Sequence, residues 1–272
     1  MHFAAAGKLD NMSFVGRIGM FAIQRARSLQ YLIALAASAL WLVVQPASWT
    51  RPVQAVLIKQ VYYTGVQGFW FISGFALVIG LAVVSQAQFW MVRLGQSELL
   101  GPFLVTVILR ELGPLLVNLV IIGRSGTAIA TELGSMMIRH EVKLLDAQGL
   151  DPMVYLAMPR IFGLMLSVFS LTMVFAVVAF VSGYLFALMM GMTHGYPSLF
   201  FSSVMNGIKP TDIFNLLAKT LLPALATGTI CCYEGMSVQY VTEVPQASTR
   251  SVVRSNFALF IISAVVSLLT YL

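Results

Sequence analysis

Residues 103 to 123 read FLVTVILRELGPLLVNLVIIG, a run of membrane-crossing length whose only charges are Arg110 and Glu111. Crossing the roughly 30 Å hydrocarbon core takes about 20 helical residues, so this stretch reads as a transmembrane helix. A charge at the bilayer centre costs about 2.5–3.5 kcal/mol even on insertion scales, which predicts that the pair lines a cavity or a subunit interface rather than facing lipid. The run leads through Gly-Arg-Ser-Gly at 123 to 126 into the densely charged loop Arg139 to Asp151.

The rest of the chain has the same character. Of 272 residues, 59% are hydrophobic and 10% charged, far from the roughly 25% charged residues of soluble domains. This is an all-α integral membrane protein by composition, because no segment shows the apolar/polar alternation of a transmembrane barrel. Sixteen Lys and Arg give a formal charge of +6 but form no basic tract, so nucleic acid is excluded as a partner. The two cysteines, Cys231 and Cys232, are adjacent within an apolar segment, which excludes a disulfide framework and metal-ligand spacing and leaves them as small packing residues.

Five spans are expected, at about 54–92, 99–134, 152–192, 212–233 and 251–272. Gln60 to Val92 and Ile161 to Ile208 contain no Asp, Glu, Lys or Arg. The second of these is too long for one span, and Gly191, Gly195 and Pro197 predict that it ends near Met192 and is followed by a short surface helix, Ser198 to Gly207. Asp151-Pro152 is an N-cap followed by a first-turn proline. Residues 1–50 form an N-terminal tail and an interfacial helix, since Arg17, Arg25 and Arg27 precede an apolar run, Tyr31 to Val44, that is short for a span. No small-residue cleavage site follows it, so it is not read as a signal peptide. Alternate sides of the five spans carry eleven against two Lys and Arg, which places the N-terminus and the loops at 135–160 and 234–250 in the cytoplasm and the C-terminus outside.

On one straight helix, residues seven apart drift by only about 20 degrees, so Glu111, Asn118, Ser125 and Glu132 are expected on one polar stripe, with Arg110 and Arg124 on a neighbouring one. Pro114 cannot donate to the Arg110 carbonyl and should bend the helix there. Such a stripe suits a binding cavity; a structural seam in which Arg110 pairs with a neighbouring helix is the plainer account. Gly126, Ala130 and Gly134 form a small-residue ladder for helix packing. Arg139, Glu141, Val142, Leu145 and Asp146 belong to a short amphipathic helix over 139–149, capped by Gly149, with Val142, Leu145 and Leu144 on its apolar face. It is suited to dock in another protein's groove. Phosphate-loop, H-E-x-x-H and G-x-S-x-G motifs are absent from the sequence. His194 reads as a solvated loop residue and Lys219 as a lysine snorkelling to the interface beside the fourth span, which Glu234 flanks at its other end.

Taken together, Arg-Glu-Leu-Gly-Pro at 110–114, Gly-Arg-Ser-Gly-Thr-Ala-Ile-Ala-Thr-Glu-Leu-Gly at 123–134, Glu141 to Leu145, Gly149-Leu-Asp-Pro152, Pro159-Arg160 and Thr249-Arg-Ser-Val-Val253 resemble the MlaE/YrbE family, the permeases of Mla/Mce-type ABC transporters. The resemblance covers roughly residues 50 to 270. It implies a homodimer of five-span subunits in the bacterial inner membrane, each with an elbow helix, a coupling helix over 139–149 and a short periplasmic helix. It also implies two cytoplasmic ABC ATPase subunits, a hexameric periplasmic MCE-domain protein, a small cytoplasmic accessory subunit and phospholipid as cargo.

On that resemblance Arg110, Glu111, Asn118 and Arg124 would face the lipid cavity. No cofactor is expected in this chain, because ATP and Mg would be bound by the partner ATPase, and the chain itself is expected to be a transport subunit rather than an enzyme. Two other readings are an ion-coupled secondary transporter, against which the absence of an evident inverted repeat counts, and a non-transporting anchor of an envelope complex.

Overall fold

A computed structural model describes residues 14–95, 100–189 and 197–271, and these are helical throughout apart from short turns. The helices are named here in chain order: α1 (Phe14–Val44), α2 (Arg51–Met91), α3 (Leu100–Ile138), α4 (Glu141–Ala147), α5 (Met153–Met189), α6 (Pro197–Gly207), α7 (Pro210–Met236) and α8 (Val244–Tyr271). Five of them, α2, α3, α5, α7 and α8, are long and apolar enough to cross a membrane. The tail before Phe14, together with Gly191, Gly195 and His194, lies outside the described residues.

Local signals explain where the helices begin and end. The Asp151 carboxylate accepts a hydrogen bond from the Met153 N–H at 2.8 Å and so caps α5. Helix α4 closes in a Schellman motif: Leu150 N–H donates to the Leu145 carbonyl and Gly149 N–H to that of Asp146, with Gly149 at φ +74. The turn before α4 is sharp because His140 adopts a left-handed conformation, φ 59. The loop expected over 234–250 is largely helical, since α8 already starts at Val244. Its polar first turns lower the apolar signal, yet they carry Arg250 and Arg254, four residues apart on one face, to the buried carboxylate of Glu234 on α7.

Helix α5 lies at the centre, packed against α2 on one side and α7 on the other, and α7 in turn packs against α3 and α8. Small residues set these crossings. Gly80 of α2 meets the backbone of Ala179, and Gly183 of α5 meets Val84. A side chain on Gly235 would lie 2.8 Å from the Ala130 carbonyl, and one on Gly126 would lie 3.2 Å from Cys231 Sγ, so Gly126, Ala130 and Gly134 form the seam between α3 and the end of α7. Cys231 and Cys232 are buried within this packing. Helix α6 folds back on the start of α3, where Gly101 touches the backbone of Ser203.

The outer helices are much less covered. In the most apolar stretch of each helix, 28% of α2 and 22% of α8 is buried, against 56% of α7. Phe69, Trp70, Phe71 and Phe75 on α2 and Phe257, Phe260 and Ile261 on α8 stand exposed. These faces must meet lipid or another chain.

Helix α3 is not the straight rod from which a single stripe would follow. It contains two wider turns, Val105–Leu112 and Ile122–Gly126, with i→i+5 hydrogen bonding, on either side of Gly113–Ile121. Each such turn shifts the register of everything after it.

Candidate functional site

The first wide turn of α3 presents both Arg110 and Glu111 to α7. There Asp212 and Lys219, seven residues apart, occupy one face. Arg110 Nε lies 2.7 Å from Asp212 Oδ1, a close charge contact rather than an aligned hydrogen bond. Lys219 Nζ lies 2.6 Å from Glu111 Oε1 and donates at 3.1 Å to the Arg110 carbonyl. That carbonyl is the acceptor left open by Pro114, so the proline vacancy is filled by a side chain from another helix.

Burial within this group of four is uneven. Lys219 and Asp212 are fully enclosed, and the side chain of Glu111 is 37% exposed. Glu111 also receives the hydroxyl of Ser267 from α8 at 3.3 Å. Two cations and two carboxylates cancel, as removing charges from water requires: an unpaired ion in such a place costs several kcal/mol. Asp212 has a further role, accepting the Lys209 N–H at 2.8 Å at the start of α7. Asn215, between Asp212 and Lys219 on α7, is wholly buried with both amide atoms unpartnered among the described residues.

The structure redistributes the residues singled out in the sequence. Arg110 and Glu111 come together with α7, and Lys219 is buried rather than snorkelling. Asn118 is buried and spans the bend, donating to the Pro114 carbonyl at 2.8 Å and reaching the Lys219 carbonyl at 3.4 Å. Ser125 is likewise buried, whereas Glu111 and Glu132 are partly open, so the expected four-residue stripe is broken by the wide turns. Arg124 does not share a face with Arg110: it points to α2, where its Nη2 donates to Gln67 Oε1 at 3.3 Å across a gap left by Gly68. Asp212 and Ser267 were missed by the sequence reading. The signal that could have found Asp212 is the spacing Asp212 to Lys219 within a helix that otherwise carries no charge between them.

Beyond the far end of α3, Arg139 pairs with Glu141 at 3.3 Å on the surface. Val142 and Leu145 of α4 pack against the core, Asp146 is exposed, and Leu144, expected on the apolar face, projects away from it with 58% exposure.

The Arg-Glu-Leu-Gly-Pro stretch thus lies in the charge cluster at the proline bend and the Gly-Arg-Ser-Gly stretch in the second wide turn of the same helix. Residues 57–269 match the family described as Permease MlaE. The chain belongs to the MlaE permease family.

The chain is 28% identical over 217 residues to the intermembrane phospholipid transport system permease protein MlaE of Haemophilus influenzae, covering 77% of this chain and 82% of that one. It is 24% identical over 251 residues to a probable ABC transporter permease protein of Rickettsia bellii, covering 92% and 95%. A plant relative, protein TRIGALACTOSYLDIACYLGLYCEROL 1, chloroplastic, of Arabidopsis thaliana, is 29% identical over 191 residues, 70% of this chain and 54% of its own length. With five apolar helices and membership of a permease family, the chain is a multi-pass membrane protein.

Proposed function

We propose that this MlaE-family chain is the permease subunit of an ABC transporter that moves phospholipid between the inner membrane and the cell envelope, supporting lipid asymmetry. The observation that carries the reading is the Arg110–Glu111–Asp212–Lys219 cluster, whose one open edge, Glu111 with Ser267, lies where α3 meets the sparsely covered α8. The family match and the name of the Haemophilus relative, an intermembrane phospholipid transport system permease, support the cargo.

In this reading two copies pack through α8 and α2 around a shared cavity. Arg110 and Glu111 set the polarity of its wall, Arg124 contributes from the α2 side, and the exposed apolar faces hold acyl chains. The buried Asn118 keeps the α3 bend in shape. ATP and Mg reside in two cytoplasmic ATPase subunits that dock on α4, which acts as the coupling helix through Leu144, Asp146 and the Arg139–Glu141 pair. Closure of the ATPases draws the two α4 helices together and narrows the cavity. Helix α1 lies as an elbow along the cytoplasmic interface, the C-terminus is periplasmic, and a hexameric MCE-domain protein receives or delivers the lipid. A small cytoplasmic accessory subunit completes the assembly.

The test is co-expression with the neighbouring ATPase, purification in nanodiscs, and mass spectrometry of intact complexes and extracted lipid. A complex of two permeases and two ATPases carrying phospholipid is expected. A chain that purifies without an ATPase would favour an ion-coupled secondary transporter, and a complex devoid of lipid would favour a membrane anchor.

A further inference from the structure

A second polar centre lies between α2, α3 and α5, toward the α4 end of the molecule. Two adjoining cavities of about 200 and about 290 Å³ share Gln60 and Glu132 in their walls. The ionic groups around them are Lys59, Arg124, Arg139 and Arg160 against Glu132 and Glu141, an excess of two positive charges.

These cations are not fully satisfied. Glu132 Oε1 is shared at 3.4 Å by Lys59 and Arg160. Arg160 is buried, it also lies 3.6 Å from Met136 Sδ, and among the described residues its Nη1 has no acceptor. Arg124 Nη1 is likewise buried without an acceptor among the described residues. A guanidinium presents paired donors matched to a phosphate or carboxylate, so two buried guanidinium nitrogens without acceptors, in a net-positive furrow, call for an anion.

Depth decides which anion. Glu132 lies six residues from Ile138, at the α4 end of α3, about 9 Å along the helix, with Lys59 and Arg160 beside it, whereas Arg110 lies 28 residues from that end. With the α4 end on the cytoplasmic side, the furrow therefore lies toward the headgroups of that leaflet, away from the Arg110 centre. The anionic group that all phospholipids present there is the phosphate diester.

We propose that this furrow binds the phosphate of a phospholipid from the cytoplasmic leaflet, as a second headgroup site that adjoins the transport cavity at Arg124 and lies away from the Arg110–Asp212 centre. The proposal rests on the orientation and cargo given under the proposed function. Arg160 and Arg124 would hold the phosphate oxygens, Lys59 would close the open rim, and Glu132 would yield part of its hold on Lys59 and Arg160. The acyl chains would lie along the exposed face of α2.

The test uses the full chain in nanodiscs with a phospholipid carrying a photoreactive diazirine on its headgroup, and maps the labelled peptides. Labelling of residues 56–67 and 124–136 is expected. It should fall about five-fold in Lys59→Gln and in Arg160→Gln with labelling of 103–119 unchanged, a loss in keeping with one charge-assisted contact. Lys59 is 60% exposed, so its replacement leaves folding intact even if Arg160→Gln does not fold. Labelling confined to 103–119, or less than a two-fold change in Lys59→Gln, would show an ion-pair network only and overturn the site while leaving the transport reading standing. No labelling in either region would overturn both. Excess inorganic phosphate should leave the labelling unchanged; displacement by it would identify free phosphate as the ligand and overturn the lipid assignment.

Discussion

Lys219 Nζ bridges the Glu111 carboxylate at 2.6 Å and the Arg110 carbonyl at 3.1 Å, so one fully buried ammonium both neutralises an intramembrane acid and fills the hydrogen-bond gap made by Pro114. Removing either partner of a buried pair leaves the other charge without compensation, at about 3–5 kcal/mol. Lys219→Met should therefore lower the thermal midpoint of the purified protein sharply. Glu111→Gln should cost less, because its carboxylate is partly open and Lys219 keeps the Arg110 carbonyl. The double variant Glu111→Gln with Lys219→Met should recover part of the loss. Strict additivity in unfolding experiments would mean that the two side chains do not interact as described.

The Arg110–Asp212 pair separates stability from transport. Arg110→Gln leaves Asp212 as a buried unpaired acid and should destabilise by about 3–5 kcal/mol. Arg110→Gln combined with Asp212→Asn removes both charges and should restore much of the stability, while lipid retained by the purified complex falls because the cavity wall has lost its cation. A double variant with wild-type lipid content would reduce the pair to a packing device.

Much of this architecture is legible in the sequence where the cause is local. Asp151 and Gly149 announce a helix start and a helix stop because one accepts a nearby N–H and the other adopts a positive φ. The charge-free runs announce the spans for an equally local reason, the cost of charge in hydrocarbon. What is not legible is which helix faces which. Periodicity within α3 puts Arg110 and Arg124 on one side, but two wide turns with no compositional marker send one to α7 and the other to α2. Lys219 looks like an interfacial lysine until the acid and the open carbonyl on α3 are placed beside it. The polar start of α8 reads as loop because its partner, Glu234, lies on a different helix.

The crossing of α2 and α5 depends on the absence of side chains. Gly80 meets the Ala179 backbone and the Ser182 hydroxyl, and a Cβ there has no space unless the helices move apart. Gly80→Ala should therefore destabilise by about 1–3 kcal/mol through overpacking, measured as a lowered thermal midpoint in detergent. Gly74→Ala on the same helix has nothing within 4 Å of the new methyl and should be stable, or slightly more so. Equal effects at the two positions would contradict this crossing.

Leu144 offers the clearest separation of docking from folding. It is 58% exposed on α4 while Val142 and Leu145 pack inward, so a large apolar side chain is presented mostly to the outside at the tip of the α3–α5 connection. Leu144→Asp should leave the thermal midpoint within a degree or two, as exposed substitutions do, yet reduce ATPase co-purification about ten-fold or more, as loss of an interface anchor worth roughly 2 kcal/mol predicts. Gly149→Ala acts through the fold instead. Its φ of +74 strains any side chain by about 1–2 kcal/mol and loosens the Schellman closure, so the thermal midpoint should fall modestly and coupling should weaken because α4 is no longer held at one angle. Leu144→Asp with undiminished ATPase binding would move the docking surface off α4, and the Arg250–Arg254 face of α8 would be the next place to look, since it carries two further cations on that side.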